Sequence, residues 1–336
     1  MEMLVDALKT GDRIVQAEAA RLLGELKRPE AVEPLVDYVT HCRYHAKATG
    51  FHALAEIGDR SVCARIRPLV DLPNCSDDWY WYGCKSVRTA AAVALLRLVD
   101  EAGAGYLRQQ ADAADDVFYA WFGPAILRLS DELPAAREMK ARITVEALHG
   151  EGARRTRITE PGIVTMVSEA LGLIGTEEAC AALRTLLGWR SRYTRGQAAL
   201  SLMAAAPTEE NRAAVAEVAA NDATDFGRVK ASLALALAGD AGRLDAVVAA
   251  ATGPDDAFDR AVAIESLGLA GHAEHVSVAE RALNEDDEYV RQCAVEALER
   301  LGADADCVAA CRHDASIRVR MQAEKFFAAV NGGPQQ

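Results

Sequence analysis

No run of about 18 apolar residues, the length a helix needs to cross a bilayer, occurs in this chain. That argues against a membrane span. Aromatic residues are scarce, 6% of 336 residues, although 51% are hydrophobic. Alanine, leucine and valine must therefore supply the apolar surface, which favours closely packed helices. Positive charge is also in deficit, with a net charge of −13. A broad nucleic-acid footprint would need clustered cations to displace counterions, so the balance argues against one. No Ser-His-Asp order, phosphate loop or paired catalytic carboxylates are legible. The first residues, Met1 to Lys9, read as an amphipathic helix rather than a basic start with a long apolar centre. The eight cysteines, 42, 63, 75, 84, 180, 293, 307 and 311, mostly occupy alanine-like positions. Together these features give the expectation of a cytoplasmic chain with reduced thiols.

What the chain has in abundance is one pattern. In Tyr289-Val-Arg-Gln-Cys-Ala-Val-Glu-Ala-Leu-Glu-Arg-Leu-Gly302, Arg291 serves as position zero. Ala294, Val295, Ala297, Leu298 and Leu301 follow at +3, +4, +6, +7 and +10, on one face of a helix. Gly302 at +11 reads as a stop, because glycine takes the left-handed conformation cheaply. Position zero recurs at Gln16, Lys47, Arg88, Tyr119, Val164, Arg195, Lys230, Arg260, Arg291 and Arg320. The steps are 31, 41, 31, 45, 31, 35, 30, 31 and 29 residues. A helical pair of this size cannot bury its own apolar face and must stack on its neighbours. The expected fold is all-α: a right-handed α-solenoid of about ten helical pairs, single over 1–330, with a disordered tail at 331–336. Its two longest surpluses fall at 72–86 and 134–161.

The clearest copies are Gln16-Ala-Glu-Ala-Ala-Arg-Leu-Leu-Gly24, Lys47 to Gly58, Val164 to Gly175, Arg260 to Gly268 and Arg291 to Gly302. They resemble the HEAT-like repeats of the family first described in phycobilin lyases, and the resemblance runs over essentially the whole chain. It implies the solenoid fold. It does not imply one activity, because such repeats serve scaffolds, lyases, hydroxylases and DNA glycosylases. The di-iron hydroxylases on similar repeats depend on His-Glu dipeptides, and none of the seven histidines here precedes Glu. Seven of the ten zero positions are Arg or Lys, with acidic residues shortly before several of them. This reads as a structural ladder bonded to the preceding repeat rather than as a basic stripe for a ligand.

Function is sought where the pattern breaks. The four tryptophans, 79, 81, 121 and 189, all lie at junctions between consecutive repeats. The first surplus holds Trp79, Trp81 and Tyr82, with Arg88 shortly after. The next repeat has Tyr119 in place of the cation, beside Trp121. Trp189 and Arg192 open the sixth. Aromatic residues beside arginines are typical contact anchors, and the alternative is that each ring plugs a gap left by an irregular repeat. The expected role is therefore a protein- or peptide-binding scaffold using Trp79, Trp81, Tyr82, Arg88, Tyr119, Trp121, Trp189 and Arg192, with Arg88 and Arg192 pairing acidic groups. Two alternatives stay open: a lyase-like enzyme holding a small molecule in an aromatic and arginine pocket, and a DNA glycosylase using the tryptophans with Asp78 or Asp116. No catalytic residue is assigned, and no metal or cofactor is expected. Cys42, His45, Cys75 and Cys84 could in principle form a thiolate–imidazole set, but Cys75 and Cys84 lack the tight Cys-x-x-Cys spacing.

Overall fold

A computed structural model describes residues 1–41, 47–71, 81–112, 116–149, 161–253 and 256–331. Among these, every regular element is a helix, as the repeat pattern requires. The chain divides into two compact units. Unit 1 comprises residues 1–113 with 308–336, and unit 2 comprises residues 114–307.

In unit 1 the inner helices are α2 (Arg13–Leu26), α4 (Lys47–Ile57) and α6 (Trp81–Arg97), stacked in that order. The outer helices are α1 (Glu2–Thr10), α3 (Val32–His41), α5 (Cys63–Ile66) and α7 (Glu101–Asp112). Unit 2 begins with α8 (Asp116–Leu129), followed by the short α9 (Pro134–Lys140) and α10 (Val145–His149). Its further inner helices are α11 (Pro161–Ile174), α13 (Arg192–Ala205), α15 (Asp225–Leu237), α17 (Ala257–Ala270) and α19 (Glu288–Arg300). They stack as α8, α11, α13, α15, α17, α19. Between them run the outer helices α12 (Glu177–Leu186), α14 (Glu209–Asn221), α16 (Leu244–Thr252) and α18 (Val276–Ala282). The last helix, α20 (Ile317–Asn331), belongs to unit 1 and packs on α2. Unit 1 thus continues its inner stack with the far end of the chain. Lys325 pairs with Glu25 at 3.1 Å, Arg21 donates to Gln322, and Arg28 donates to the carbonyl of Ala328.

The periodicity converts directly into burial. Leu23, Leu54, Leu95, Ile126, Leu171, Leu202, Leu267 and Leu298, all at +7, are 0–1% exposed. Each such side chain contributes about 1.5–3 kcal/mol relative to exposure. The +11 position is nearly as regular, with Ser130 and Ala206 as exceptions. Lys27, Gly58, Val99, Gly175, Gly239, Gly271 and Gly302 all have positive φ, and all stand eleven residues after an inner-helix position zero. Their left-handed turn ends the inner helix.

This rule corrects the register of one repeat. The sequence places Lys230 at position zero, yet Gly239 stands eleven residues after Arg228. Arg228 also behaves like the other ladder arginines: it donates to the carbonyl of Asp222, six residues back, at 2.6 Å. Arg195 reaches the carbonyl of Trp189, Arg291 that of Glu285 and Arg320 that of Asp314, each also six residues back. The ladder therefore caps the carbonyls of the turn before its own helix. Arg195 additionally grips Asp222 through Nε and Nη2 at 2.5 and 2.7 Å. Arg228 and not Lys230 marks the repeat, and the steps after Arg195 become 33 and 32 residues.

Candidate functional site

The corrected register exposes a row of aromatic residues that the tryptophan-centred sequence reading missed. In four successive repeats the helix starts with a side-chain cap: Ser191, Thr224, Asp256 and Asp287 accept from backbone N–H groups of the first turn. Two residues after each cap stands an aromatic side chain, namely Tyr193, Phe226, Phe258 and Tyr289. Two further on is the ladder arginine. Because the caps fix the same starting phase and the inner helices stack side by side, the four rings fall into line.

The Tyr193 and Phe226 centroids are 4.9 Å apart in an edge-to-face contact. Phe226 and Phe258 are 6.2 Å apart, and Phe258 and Tyr289 are 6.0 Å apart, with interplanar angles of only 12° and 13°. Phe226 is 8% exposed, whereas Tyr193 and Tyr289 at the two ends are 43% and 36% exposed. The row is anchored on its inside and open to solvent at its ends. Such pairs add about 0.5–1.5 kcal/mol beyond the area they bury.

Arg192 lies across this row. Its guanidinium carbon is 5.0 Å from the Phe258 centroid, 5.2 Å from Tyr193 and 5.8 Å from Phe226. Its Nη1 is 3.8 Å from the Asp259 carboxylate. One side chain on α13 therefore spans to α15 and α17. The bond to the Tyr193 hydroxyl, then the carboxylates of Asp259 and Asp256, push the arginine further up, so it stays charged.

At the other end, burial pushes the Tyr289 phenol well above its ordinary value, with Cys293, Glu265 and Glu296 adding to the effect. Burial and the same two carboxylates push the Cys293 thiol to about 12. Neither group ionises near neutrality, so neither serves as a ready nucleophile. Lys230, two residues after the true ladder arginine, pairs with Glu265 at 2.8 Å on this face.

The residues expected from sequence fall as follows. Arg192 is a member of the row. Trp189 sits in the turn before α13, partly exposed; its carbonyl accepts from Arg195, and its buried Nε1 has no hydrogen-bond partner among the described residues. Arg88, in unit 1, donates to the carbonyl of Val70 at 2.7 Å and lies 5.0 Å from the Tyr106 ring centroid. Trp81 and Tyr82 fall within α6, and Tyr119 and Trp121 within α8, but their side chains lie outside the described residues. Trp79 lies outside them altogether, as do Cys42, His45, Cys75 and the tail from residue 332; the side chain of Cys84 does too. Among the described residues, no group of three or more His, Cys, Asp or Glu side chains is placed to hold a metal ion. No helix there is long and apolar enough to cross a membrane.

Stacked helical pairs with a common cap, ladder and stop define an α-helical repeat protein of the solenoid type. More particularly, the model of the HEAT-repeat family matches residues 1–78 and 244–326 of the chain. No curated protein sequence matches the chain. Solved structures with a similar course include human deoxyhypusine hydroxylase, 18% identical with a TM-score of 0.36, over 80% of this chain and 95% of that one. The complex of CpcE and CpcF of phycocyanin lyase from Nostoc sp. PCC7120 is 17% identical with a TM-score of 0.33, over 97% and 94%. An engineered protein is 17% identical with a TM-score of 0.33, over 99% of both chains. At these values the structural likenesses carry no functional argument.

Proposed function

We propose that this chain is a protein-binding scaffold, and that unit 2 engages an extended segment of its partner along the row from Tyr193 to Tyr289. The observation that carries this reading is the alignment of four aromatic side chains from four successive repeats, with both end rings exposed. Aromatic residues beside an arginine make effective contact anchors, because they offer large rigid area with little entropy to lose. Repeat proteins offer such positions at regular spacing, which suits an extended ligand. The protonated phenol and thiol at Tyr289 and Cys293 suit recognition better than nucleophilic chemistry. Trp189, three residues before Arg192 in sequence, extends the same reading. Trp79, Trp81, Tyr82, Tyr119, Trp121 and Arg88 stay proposed contacts on the strength of the sequence.

The test is a double substitution at the exposed ends, Tyr193→Ala with Tyr289→Ala. Proteins that co-purify with the parent chain should be lost from the variant, while its thermal melting changes little. Retained partners together with a lowered melting temperature would assign the row to packing alone.

A further inference from the structure

The net charge of the chain is not shared between its units. In residues 114–307, Asp and Glu outnumber Lys and Arg 32 to 19, a difference of −13. In residues 1–113 with 308–336 the two kinds are equal, 18 of each. Unit 2 therefore carries the whole formal charge of −13. Unit 1 also pairs charges across its own inner helices, as Arg97 and Lys27 do with Glu56 and Lys325 does with Glu25. A field of one sign over one unit selects partners of the opposite sign and speeds their encounter.

The aromatic row indicates what form that opposite charge takes. A ring face attracts a cation through its quadrupole, and a planar guanidinium does so while lying flat. The Arg192 guanidinium carbon already lies 5.0 Å from the Phe258 centroid, 5.2 Å from Tyr193 and 5.8 Å from Phe226, with Asp259 beside it. The next interval, between Phe258 and Tyr289, repeats the ring spacing. Its rings are nearly parallel at 6.0 Å, and the two carboxylates that act on the Tyr289 phenol are Glu265, paired with Lys230 at 2.8 Å, and Glu296, paired with Arg300 at 2.6 Å. Among the described residues, no cation lies over the Tyr289 ring. We propose that unit 2 binds an arginine-bearing, cationic segment of a partner protein, seating a guanidinium against Phe258 and Tyr289 as Arg192 is seated against the rings before them. The inference rests on the scaffold reading and adds the chemistry of the partner. It reverses the role expected for Arg192 from sequence. That residue occupies the row as an internal copy of the guest, held by Asp259, instead of reaching for a partner's carboxylate.

The test uses the full chain and three short labelled peptides that alternate serine with arginine, lysine or glutamate, read by fluorescence anisotropy at low and high salt. The arginine peptide should bind best, less tightly at high salt, and the glutamate peptide should not bind. Because any acidic protein attracts cations diffusely, the deciding variant is Phe258→Leu with Tyr289→Leu, which preserves charge and apolar character. It should weaken the arginine peptide about tenfold and narrow its advantage over the lysine peptide. Should the double variant melt early, Tyr289→Leu alone, at the exposed end, gives the same reading with a smaller factor. Unchanged affinity for the arginine peptide in a well-folded leucine variant would overturn the proposal. So would glutamate-peptide binding equal to that of the arginine peptide. If co-purifying partners are lost on alanine substitution at Tyr193 and Tyr289 but the arginine peptide ignores the rings, only the cationic inference falls. If those partners are retained, the scaffold reading of this face falls with it.

Discussion

Asp222 shows how much one residue can carry in a repeat junction. Its carboxylate, 2% exposed, accepts from Nε and Nη2 of Arg195 and from the N–H and hydroxyl of Thr224. Burial alone would raise its pKa; Arg195 and Thr224 outweigh it and hold the carboxyl below the usual carboxylate range. Since the folded pKa lies below the unfolded one, the stabilisation is complete above about pH 4 and is lost as pH falls through the folded value. Asp222→Asn should cost about 3 kcal/mol near neutrality, because it strands a largely buried guanidinium. It should also flatten the acid limb of a stability-versus-pH curve measured by urea denaturation. Val99 makes the opposite case. A branched residue with φ of 60° and 55% exposure occupies the +11 stop. Val99→Gly relieves about 1–2 kcal/mol of backbone strain against about 0.5–1 kcal/mol of chain entropy. The melting temperature should therefore rise modestly.

At the scale of the element, the inner helices approach closely because a glycine at +8 meets a small residue at +6 of the next repeat. A Cβ on Gly268 would stand 2.7 Å from the Ala297 Cα, one on Gly24 2.7 Å from the Ala53 Cα, and one on Gly172 2.8 Å from the Ser201 Cβ. Helix propensity alone favours Gly268→Ala by about 1 kcal/mol. The contact is with backbone, though, so α17 and α19 would have to separate, at a cost of about 1–3 kcal/mol. The expected result is net destabilisation. Gly105 in α7 is the control: a Cβ there meets nothing within 4 Å, so Gly105→Ala should stabilise by about 1 kcal/mol. Parallel thermal melts of the two variants, shifting in opposite directions, would check the account. The apolar face of each helix was legible because burial follows a period that can be read directly from residue types. The small-residue contacts were not, since the glycine and its partner lie about thirty residues apart and only stacking brings them together.

At the scale of the whole molecule, the chain's last helix belongs with its first. Val319, Met321, Ala323 and Phe326 of α20 are 0–1% exposed within unit 1. Phe326→Ala should cost about 3–5 kcal/mol. Its effect should appear in hydrogen exchange as lost protection over α2, residues 13–26, while residues 192–300 keep theirs. Equal loss in both units would mean that they unfold as one. The charge division falls on the same boundary, with unit 2 carrying −13 and unit 1 none.

The sequence alone determined the helical repeat, its apolar face and its glycine stops, because local propensity and periodic burial are written in adjacent residues. It also marked Arg192 and Trp189 as departures from the pattern. Tertiary structure decided the rest. The carbonyl bonds of Arg228 and the left-handed Gly239 reset a register that spacing had placed two residues late. Only that correction aligned Tyr193, Phe226, Phe258 and Tyr289, none of which departs from the pattern of its own repeat. Their line, and the arginine across it, exist because stacked helices convert a period of about thirty residues along the chain into about 6 Å in space.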